Sequence, residues 1–424
     1  MVLLLTMCAG MFLVQLDVTV VNVALPTIGH ELGAGVATLQ EVVDGYAVVL
    51  AALLLAGGAL GDVLGHRRIV VTGFATFGLA SAGCALAPSG PVLVGFRALQ
   101  GLGAALLLPG TLAVITSAYP ARREQARALG VWAGVSALAL AGGPVLGGAL
   151  VAAAGWRILF WLNVPLVALA IAGSLRLLEP GGGIRRRIDF AGAASAAVTL
   201  AALVFAVIEG SIVAGVVAVA AGAVFVAVER RAADPMLPRE LLRSRQFVGA
   251  NLVAGAMNFV GLGMILVLTL YLQGVLGYPP LAAAVRLLPG FLPLSLLAPV
   301  TGRLVGRFGP RPPMIAGLVL GTLALLTLLR AQTGYALVLP AWLGLGIGMG
   351  LLTAAVVAAA VAHVPPGRAG VASGVNNTAR QAFGALGVAV FGHYGTSVAG
   401  LHTAGILGAA VWAAAVAITG CAVR

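Results

Sequence analysis

Residues 58–68 read GALGDVLGHRR, and residues 302–312 read GRLVGRFGPRP. Each is a glycine-punctuated, arginine-bearing turn between two long apolar runs. Counted from Gly58 to Gly302, the second follows the first by 244 residues. The tripeptide GLG recurs at nearly the same interval, at Gly101 and again at Gly344. Two landmarks at almost equal offsets predict two homologous halves, each laying down the same succession of elements.

Those elements are expected to be helices in a membrane. Of 424 residues, 61% are hydrophobic and 8% charged, whereas a soluble domain carries about a quarter charged residues. The apolar surplus excludes a water-soluble enzyme and a nucleic-acid-binding protein. The formal net charge of +12 does not change this, because all basic side chains are arginines in short clusters between apolar runs. Cys8, Cys84, Cys421 and the five histidines are scattered, so no disulfide framework, metal site or catalytic constellation is expected. Met1 opens directly into an apolar run, so no cleavable signal peptide is expected. No P-loop pattern occurs, which points away from ATP hydrolysis, and no cofactor is expected.

A helix crosses the hydrocarbon core in about 20 residues. That window yields fourteen candidate spans, at 2–25, 40–60, 69–88, 91–118, 127–153, 157–177, 189–209, 211–228, 247–274, 281–302, 313–330, 336–362, 369–392 and 403–422. Taken alternately, one set of loops contains Arg67–Arg68, Arg122–Arg123, Arg185–Arg187, Arg230–Arg231 with Arg239, Arg243 and Arg245, then Arg303, Arg307, Arg311 and Arg368. The other set contains no arginine, although Arg157 and Arg330 border it. By the positive-inside rule, both termini are expected in the cytoplasm of a multi-pass protein. The expected division is an N-terminal six-helix bundle at 1–178, linkers with two extra spans at 179–245, and a C-terminal six-helix bundle at 246–424. The run from Pro238 to Phe247 is expected to form a short interfacial helix whose arginines meet anionic lipid.

Ionisable groups at membrane depth cost at least about 2.5–3.5 kcal/mol each and mark functional candidates. Asp17 and Arg97 fall roughly 12 Å and 9 Å from the same membrane face at 1.5 Å per residue, so the two are expected to meet. Burial raises a carboxyl pKa and a nearby guanidinium lowers it. A helix movement that changes the contact would therefore switch proton affinity; the alternative is a static ion pair that fixes packing. Asp44 and Glu41, one turn apart, share a face where they either attract a cation and relay protons or sit as solvated helix-start carboxylates. Asp189 is expected to cap the helix it opens. Arg380 lies near the middle of its span with Asn377 and Gln381 beside it, and no acidic residue follows Glu240. These three, with Asn22, Glu41, Gln100 and Asn163, are candidates for a substrate cavity. Gly134, Gly143, Gly147 and Gly148 permit close helix contact around Pro144, which can kink its helix.

These residues carry a resemblance. GALGDVLGHRR resembles the signature loop of the major facilitator superfamily, FRALQGLGAA (96–105) its fourth-helix motif, and GVSALALAGGPVLGG (134–148) its antiporter-associated fifth-helix motif. LDVTVVNVALP (16–26), GWRILFWLNVPL (155–166) and NNTARQAFGALG (376–387) are similar to the fourteen-helix drug:proton antiporter branch. His66 departs from the pattern, standing where the family usually carries arginine.

The resemblance implies an all-α integral membrane protein with the two-bundle fold, a six-plus-six pseudo-repeat, and two extra central helices, fourteen in all. It implies proton-coupled export of hydrophobic drugs or antibiotics by alternating access, in a monomer of a bacterial inner membrane. Its partners would be substrate, protons and lipid. Gly58, Asp62, Gly65, Arg67 and Arg68 would form a gating latch, Asp62 facing the arginine pair; Gly134, Gly143, Pro144, Gly147 and Gly148 would form a seal against proton leak. Asp17, Arg97 and Asp44 would carry proton coupling. The competing readings are a metabolite symporter or lipid flippase of the same fold, and a transport-dead sensor or scaffold.

Overall fold

The computed structural model describes residues 1–179, 189–232, 234–330, 333–362, 364 and 367–423. The expected arginine cluster at 185–187 lies outside the described residues. Among the described residues all regular structure is helical: α1 (Val2–Leu32), α2 (Val36–Leu64), α3 (His66–Ala85), α4 (Gly90–Ala118), α5 (Arg122–Ala154), α6 (Arg157–Leu177), α7 (Phe190–Glu209), α8 (Ile212–Arg231), α9 (Arg239–Arg243), α10 (Arg245–Leu270), α11 (Pro280–Phe308), α12 (Arg311–Leu326), α13 (Tyr335–Val361), α14 (Ala369–Phe391) and α15 (Val398–Ala422). A π turn, Tyr271–Val275, extends α10, and a 3-10 turn, Thr327–Arg330, extends α12. Helices satisfy every interior backbone group within one segment, which is what a hydrocarbon solvent demands.

Thirteen described helices are long and apolar enough to cross a membrane. The expected span at 369–392 forms a helix of matching length, α14, but is not among them. Its Ser373, Asn376, Asn377, Thr378, Arg380 and Gln381 dilute the apolar character. Within the run expected as a short helix, 238–247, a five-residue helix forms, α9. Asp189 caps α7 by accepting a hydrogen bond from Gly192 N at 2.7 Å, as expected. The first loop is shorter than the sequence suggested. Pro26 does not end α1, which runs to Leu32 and closes on Gly33 in the left-handed conformation (φ 59°).

Two compact units emerge. Unit 1 comprises residues 1–118, 142–239 and 364–378; unit 2 comprises 119–141, 240–363 and 379–424. Contacts inside unit 1 recur inside unit 2 about 244 residues later. Gly65, at φ +92°, makes the α2–α3 turn, and Gly309, at φ +86°, makes the α11–α12 turn. A side chain other than glycine is disfavoured in that backbone region. Arg67 Nη2 donates to Leu175 O near the end of α6, and Arg311 Nη2 donates to Gly420 O near the end of α15. These arginines stopper helix termini whose last carbonyls have no intrahelical donor.

The helix crossings repeat as well. A Cβ on Gly101 would lie 2.6 Å from Tyr46 O, and one on Gly346 would lie 2.0 Å from Gly290 O. Gly73 meets Gly103 O as Gly317 meets Gly348 O, at 3.2 and 2.7 Å by the same measure. The packing pairs Gly101 with Gly346, an offset of 245 residues, whereas the GLG tripeptides alone suggested Gly344. Small residues at these crossings let backbones approach, which drives helix association where lipid removes the hydrophobic contrast.

Candidate functional site

Five helices of unit 1 converge on one buried polar cluster. Asp17 comes from α1, Tyr46 from α2, Ser81 and Cys84 from α3, Arg97 and Gln100 from α4, and Asn163 from α6. Ser81 and Cys84, like Arg97 and Gln100, stand three residues apart and so share a helix face. Asp17 and Arg97 are each 1% exposed, Gln100 0% and Asn163 2%.

Arg97 Nη1 donates both to Asp17 Oδ2 and to Gln100 Oε1, the latter at 2.8 Å. Its Nε donates to Val42 O at 3.0 Å, and its guanidinium carbon stands 4.3 Å from the centre of the Tyr46 ring. Gln100 bridges the cluster. Its Nε2 donates to Asp17 Oδ1 at 3.2 Å and to Ser81 Oγ at 2.8 Å, while its Oε1 accepts from Cys84 Sγ at 3.4 Å. Asn163 Nδ2 completes it, donating to Ser81 Oγ at 3.3 Å and to Asp17 Oδ1 at 3.5 Å. Each of these contacts to Asp17 comes from an N–H donor, the environment an ionised, acceptor-only carboxylate requires. A proton arriving on Asp17 would turn one acceptor into a donor and disturb the Arg97 and Gln100 contacts.

The expected Asp17–Arg97 meeting is observed, and the cluster is larger than the sequence indicated. Gln100 and Asn163, expected at a substrate cavity, are enclosed with the ion pair instead. Tyr46, Ser81 and Cys84 were not anticipated. Ser81 alone had a signal, as an isolated polar residue inside an apolar run. Asp44 is half-buried on α2, whereas Glu41 and Asn22 are exposed. Asn377 is buried and donates to Ser373 O within its own helix at 3.0 Å.

Unit 2 supplies a comparison for Arg97. Arg97 Nε reaches Val42 O; 245 residues later Trp342 Nε1 reaches Leu287 O at 2.7 Å. The same interhelical hydrogen bond is thus made by a neutral indole in one unit and by a buried guanidinium in the other. Joining these helices does not require a charge. In unit 1 the guanidinium also ties α4 to Asp17 of α1, a link that the indole does not make in unit 2.

A second constellation lies at the α2–α3 turn. Asp62 is 5% exposed, and its two oxygens accept from Gly370 N at 2.8 Å and Val371 N at 2.9 Å, in the first turn of α14. A carboxylate at a helix N-terminus satisfies orphan N–H donors and complements the dipole. His66 Nε2 stands 3.6 Å from Asp62 Oδ1. The sequence placed Arg67 and Arg68 opposite Asp62. The structure instead sends Arg67 to Leu175 O and leaves Arg68 exposed. Those backbone donors, more than 300 residues away, have no sequence signature. Gly58 makes the contact possible, since a Cβ there would meet Gly370 O at 2.2 Å. A cavity of about 600 Å³ adjoins the turn, bordered by Asp62, His66, Arg67, Glu179 and Gly367.

The fifth-helix glycines serve two neighbours. In unit 2, Gly134 packs on Pro299 and Ser295 O of α11; in unit 1, Gly143 and Gly147 pack on Thr19 and Val20 of α1. Gly148 has only an ordinary contact, with Val23, and Pro144 is half-buried inside α5. In unit 1, Glu31 Oε2 accepts from Trp156 Nε1 at 2.9 Å and pairs with Arg157 Nη1 at 2.6 Å. This clasp accounts for the arginine bordering the arginine-free loops.

The many apolar helices, repeated crossings and a buried ion-pair network are those of a multi-pass membrane protein. The chain belongs to the Major Facilitator Superfamily, whose model matches residues 7–388. It is 37% identical to the multidrug resistance protein Stp of Mycobacterium tuberculosis (strain CDC 1551 / Oshkosh), over 90% of this chain and 73% of Stp. It is 35% identical to the methylenomycin A resistance protein of Streptomyces coelicolor, over 91% of this chain and 84% of that protein. With the tetracenomycin C resistance and export protein of Streptomyces glaucescens it shares 33% identity, over 92% and 74% of the two chains. The fold is that of the human organic anion transporter MFSD10, at a TM-score of 0.74, 14% identity and 99% coverage of both chains. The proton:xylose symporter XylE shares it at a TM-score of 0.69 and 15% identity, covering 98% of this chain and 94% of that one.

Proposed function

We propose that this transporter exports hydrophobic small molecules, antibiotics among them, in exchange for protons entering through Asp17. The observation that carries the reading is the enclosed Asp17–Arg97–Gln100–Asn163 cluster, whose arginine is matched in the repeat by an uncharged tryptophan. The resistance and export named for the relatives support the choice of cargo and direction. Protonation of Asp17 weakens its hold on Arg97 and Gln100, so the packing of α1, α4 and α6 depends on the proton. That gives a proton differential affinity for two conformations, the requirement for any ligand that shifts an equilibrium.

In the proposed arrangement fourteen spans, α14 included, form six-helix bundles at 1–178 and 246–424 with two additional helices between them. Both termini lie in the cytoplasm of a bacterial inner membrane, and access alternates between the two sides. Asp62 is the latch. Its bonds to Gly370 N and Val371 N hold the start of α14 in one state and break in the other. The glycines of α5 keep the helix contacts tight as the state changes, and Asp44 relays protons toward Asp17.

The test is transport by purified protein in proteoliposomes under an imposed pH gradient. A panel of resistance substrates is offered to wild type and to Asp17→Asn. Wild type is expected to move substrate in response to the gradient and release protons in return. Asp17→Asn, which strands Arg97, is expected to be less stable than wild type and, in the folded fraction reconstituted, to lose the gradient dependence. Proton release that persists in Asp17→Asn removes this residue from the mechanism.

A further inference from the structure

Arg380 occupies the midpoint of α14, eleven residues from Ala369 and eleven from Phe391, about 16 Å from either end at 1.5 Å per residue. Among the described residues of unit 2, no carboxylate pairs with it. All twelve acidic residues of the chain are among the described residues, and none follows Glu240. Among the described residues, Asp17 pairs with Arg97 and Glu31 with Arg157, while His66 stands beside Asp62. Among the described residues, the hydrogen bond of the Arg380 guanidinium runs from Nε to Asn258 Oδ1 at 3.5 Å. Its Nη1 and Nη2 groups have no protein partner there, and the side chain is half-buried.

Two other arginines of the same molecule show how the fold treats guanidinium groups it keeps for itself. Arg97 is engaged by a carboxylate, an amide, a carbonyl and an aromatic ring. Arg286, near the start of α11, stacks 3.8 Å from the Tyr278 ring centre and donates to Ala282 O. Arg380 has neither treatment, and a guanidinium stays protonated in proteins. A charge at this depth without a counterion is disfavoured by kilocalories. Its compensation therefore arrives from outside the chain. Because Asn258 engages Nε, the end-on pair of Nη groups remains available, a fork that matches the two oxygens of a carboxylate.

We propose that Arg380 binds the anionic group of the cargo, which makes hydrophobic molecules bearing one carboxylate or acidic enol a substrate class of this exporter. The inference rests on the export reading and deepens it. It also explains why the second half dispenses with acidic residues, since a carboxylate close by would occupy Arg380 permanently.

The probes are radiolabelled 2-naphthoate, its methyl ester and 2-naphthylmethylammonium, measured by equilibrium dialysis against the full-length protein in nanodiscs. Wild type is expected to bind the anion at least tenfold tighter than the ester and to reject the ammonium. Arg380→Gln is expected to erase the anion preference, and Arg380→Lys, which keeps the charge without the fork, to retain part of it. Asn258→Asp places a carboxylate against Arg380 and is expected to weaken naphthoate binding to the level of the ester. It keeps the test decisive if Arg380→Gln fails to fold. Wild type that binds the anion no tighter than the ester, or an anion preference that survives Arg380→Gln or Asn258→Asp, overturns the proposal. Gradient-driven export by wild type is scored separately, so an exporter indifferent to naphthoate sinks this inference alone.

Discussion

At the scale of single residues, Asp17 and Arg97 are bound to each other's fate. Leaving one buried charge without its partner is expected to cost about 3–5 kcal/mol, whereas neutralising both removes the penalty. Arg97→Gln should therefore melt well below wild type in detergent. The double variant Asp17→Asn with Arg97→Gln should recover part of the loss, although neither couples export to a pH gradient. Trp342→Phe is the counterpart in the repeat. It removes one neutral hydrogen bond, worth about 0.5–1.5 kcal/mol, and should lower stability modestly while gradient-driven export persists. Asp62 predicts a graded series. Asp62→Asn keeps one acceptor oxygen and Asp62→Ala keeps none, so export should fall in that order. A cysteine at Ser373, buried in wild type, should react with a water-soluble maleimide several-fold faster in the Asp62→Ala background. The Asp17–Arg97 meeting was legible in the sequence because two costly charges at matching depth need each other. The roles of Gln100, Asn163 and Ser81 were not, since three polar residues on three helices share no spacing in the chain. Nor were the backbone donors that meet Asp62, because any residue carries a backbone N–H.

Between elements, the decisive quantity is how closely two backbones pass. The sequence displays 60 glycines without saying which ones sit at crossings. Gly58 and Gly95 make the contrast. A Cβ on Gly58 would stand 2.2 Å from Gly370 O, but one on Gly95, in α4, would meet nothing within 4 Å. Gly58→Val should force α2 from the start of α14 and cost about 1–3 kcal/mol in overpacking. Gly95→Ala should be neutral or stabilise by up to about 1 kcal/mol, from the lower helix propensity of glycine. Thermal unfolding of the two variants side by side checks both. The positions of most helices could be read from apolar run length alone. Their ends could not, since Pro26 lies inside α1 and the αL glycine that stops the helix comes seven residues later.

For the whole molecule, the proposed fourteen-span layout turns on α14, whose polar residues keep it from registering as an ordinary apolar span. Reporter fusions decide its status. An alkaline phosphatase fused within 393–397 should be active and a fluorescent protein fused after residue 424 should fluoresce, placing the two ends of α15 on opposite sides. If both report the same side, the layout is wrong. The recurrence of Arg67 at Leu175 and Arg311 at Gly420 bears on the same scale. Two stoppers 244 residues apart are hard to obtain except from a duplicated ancestor, which the paired hairpin motifs already indicated.

The enclosure of the Asp17 cluster has a kinetic corollary. With five helices of unit 1 closed around it, the proposed proton exchange at that carboxylate requires the bundle to part. Idle vesicles containing the protein should consequently dissipate an acid gradient slowly. The residual seepage should rise steeply on warming, with the large activation enthalpy of separating packed helices in place of the shallow slope of diffusion through a standing channel.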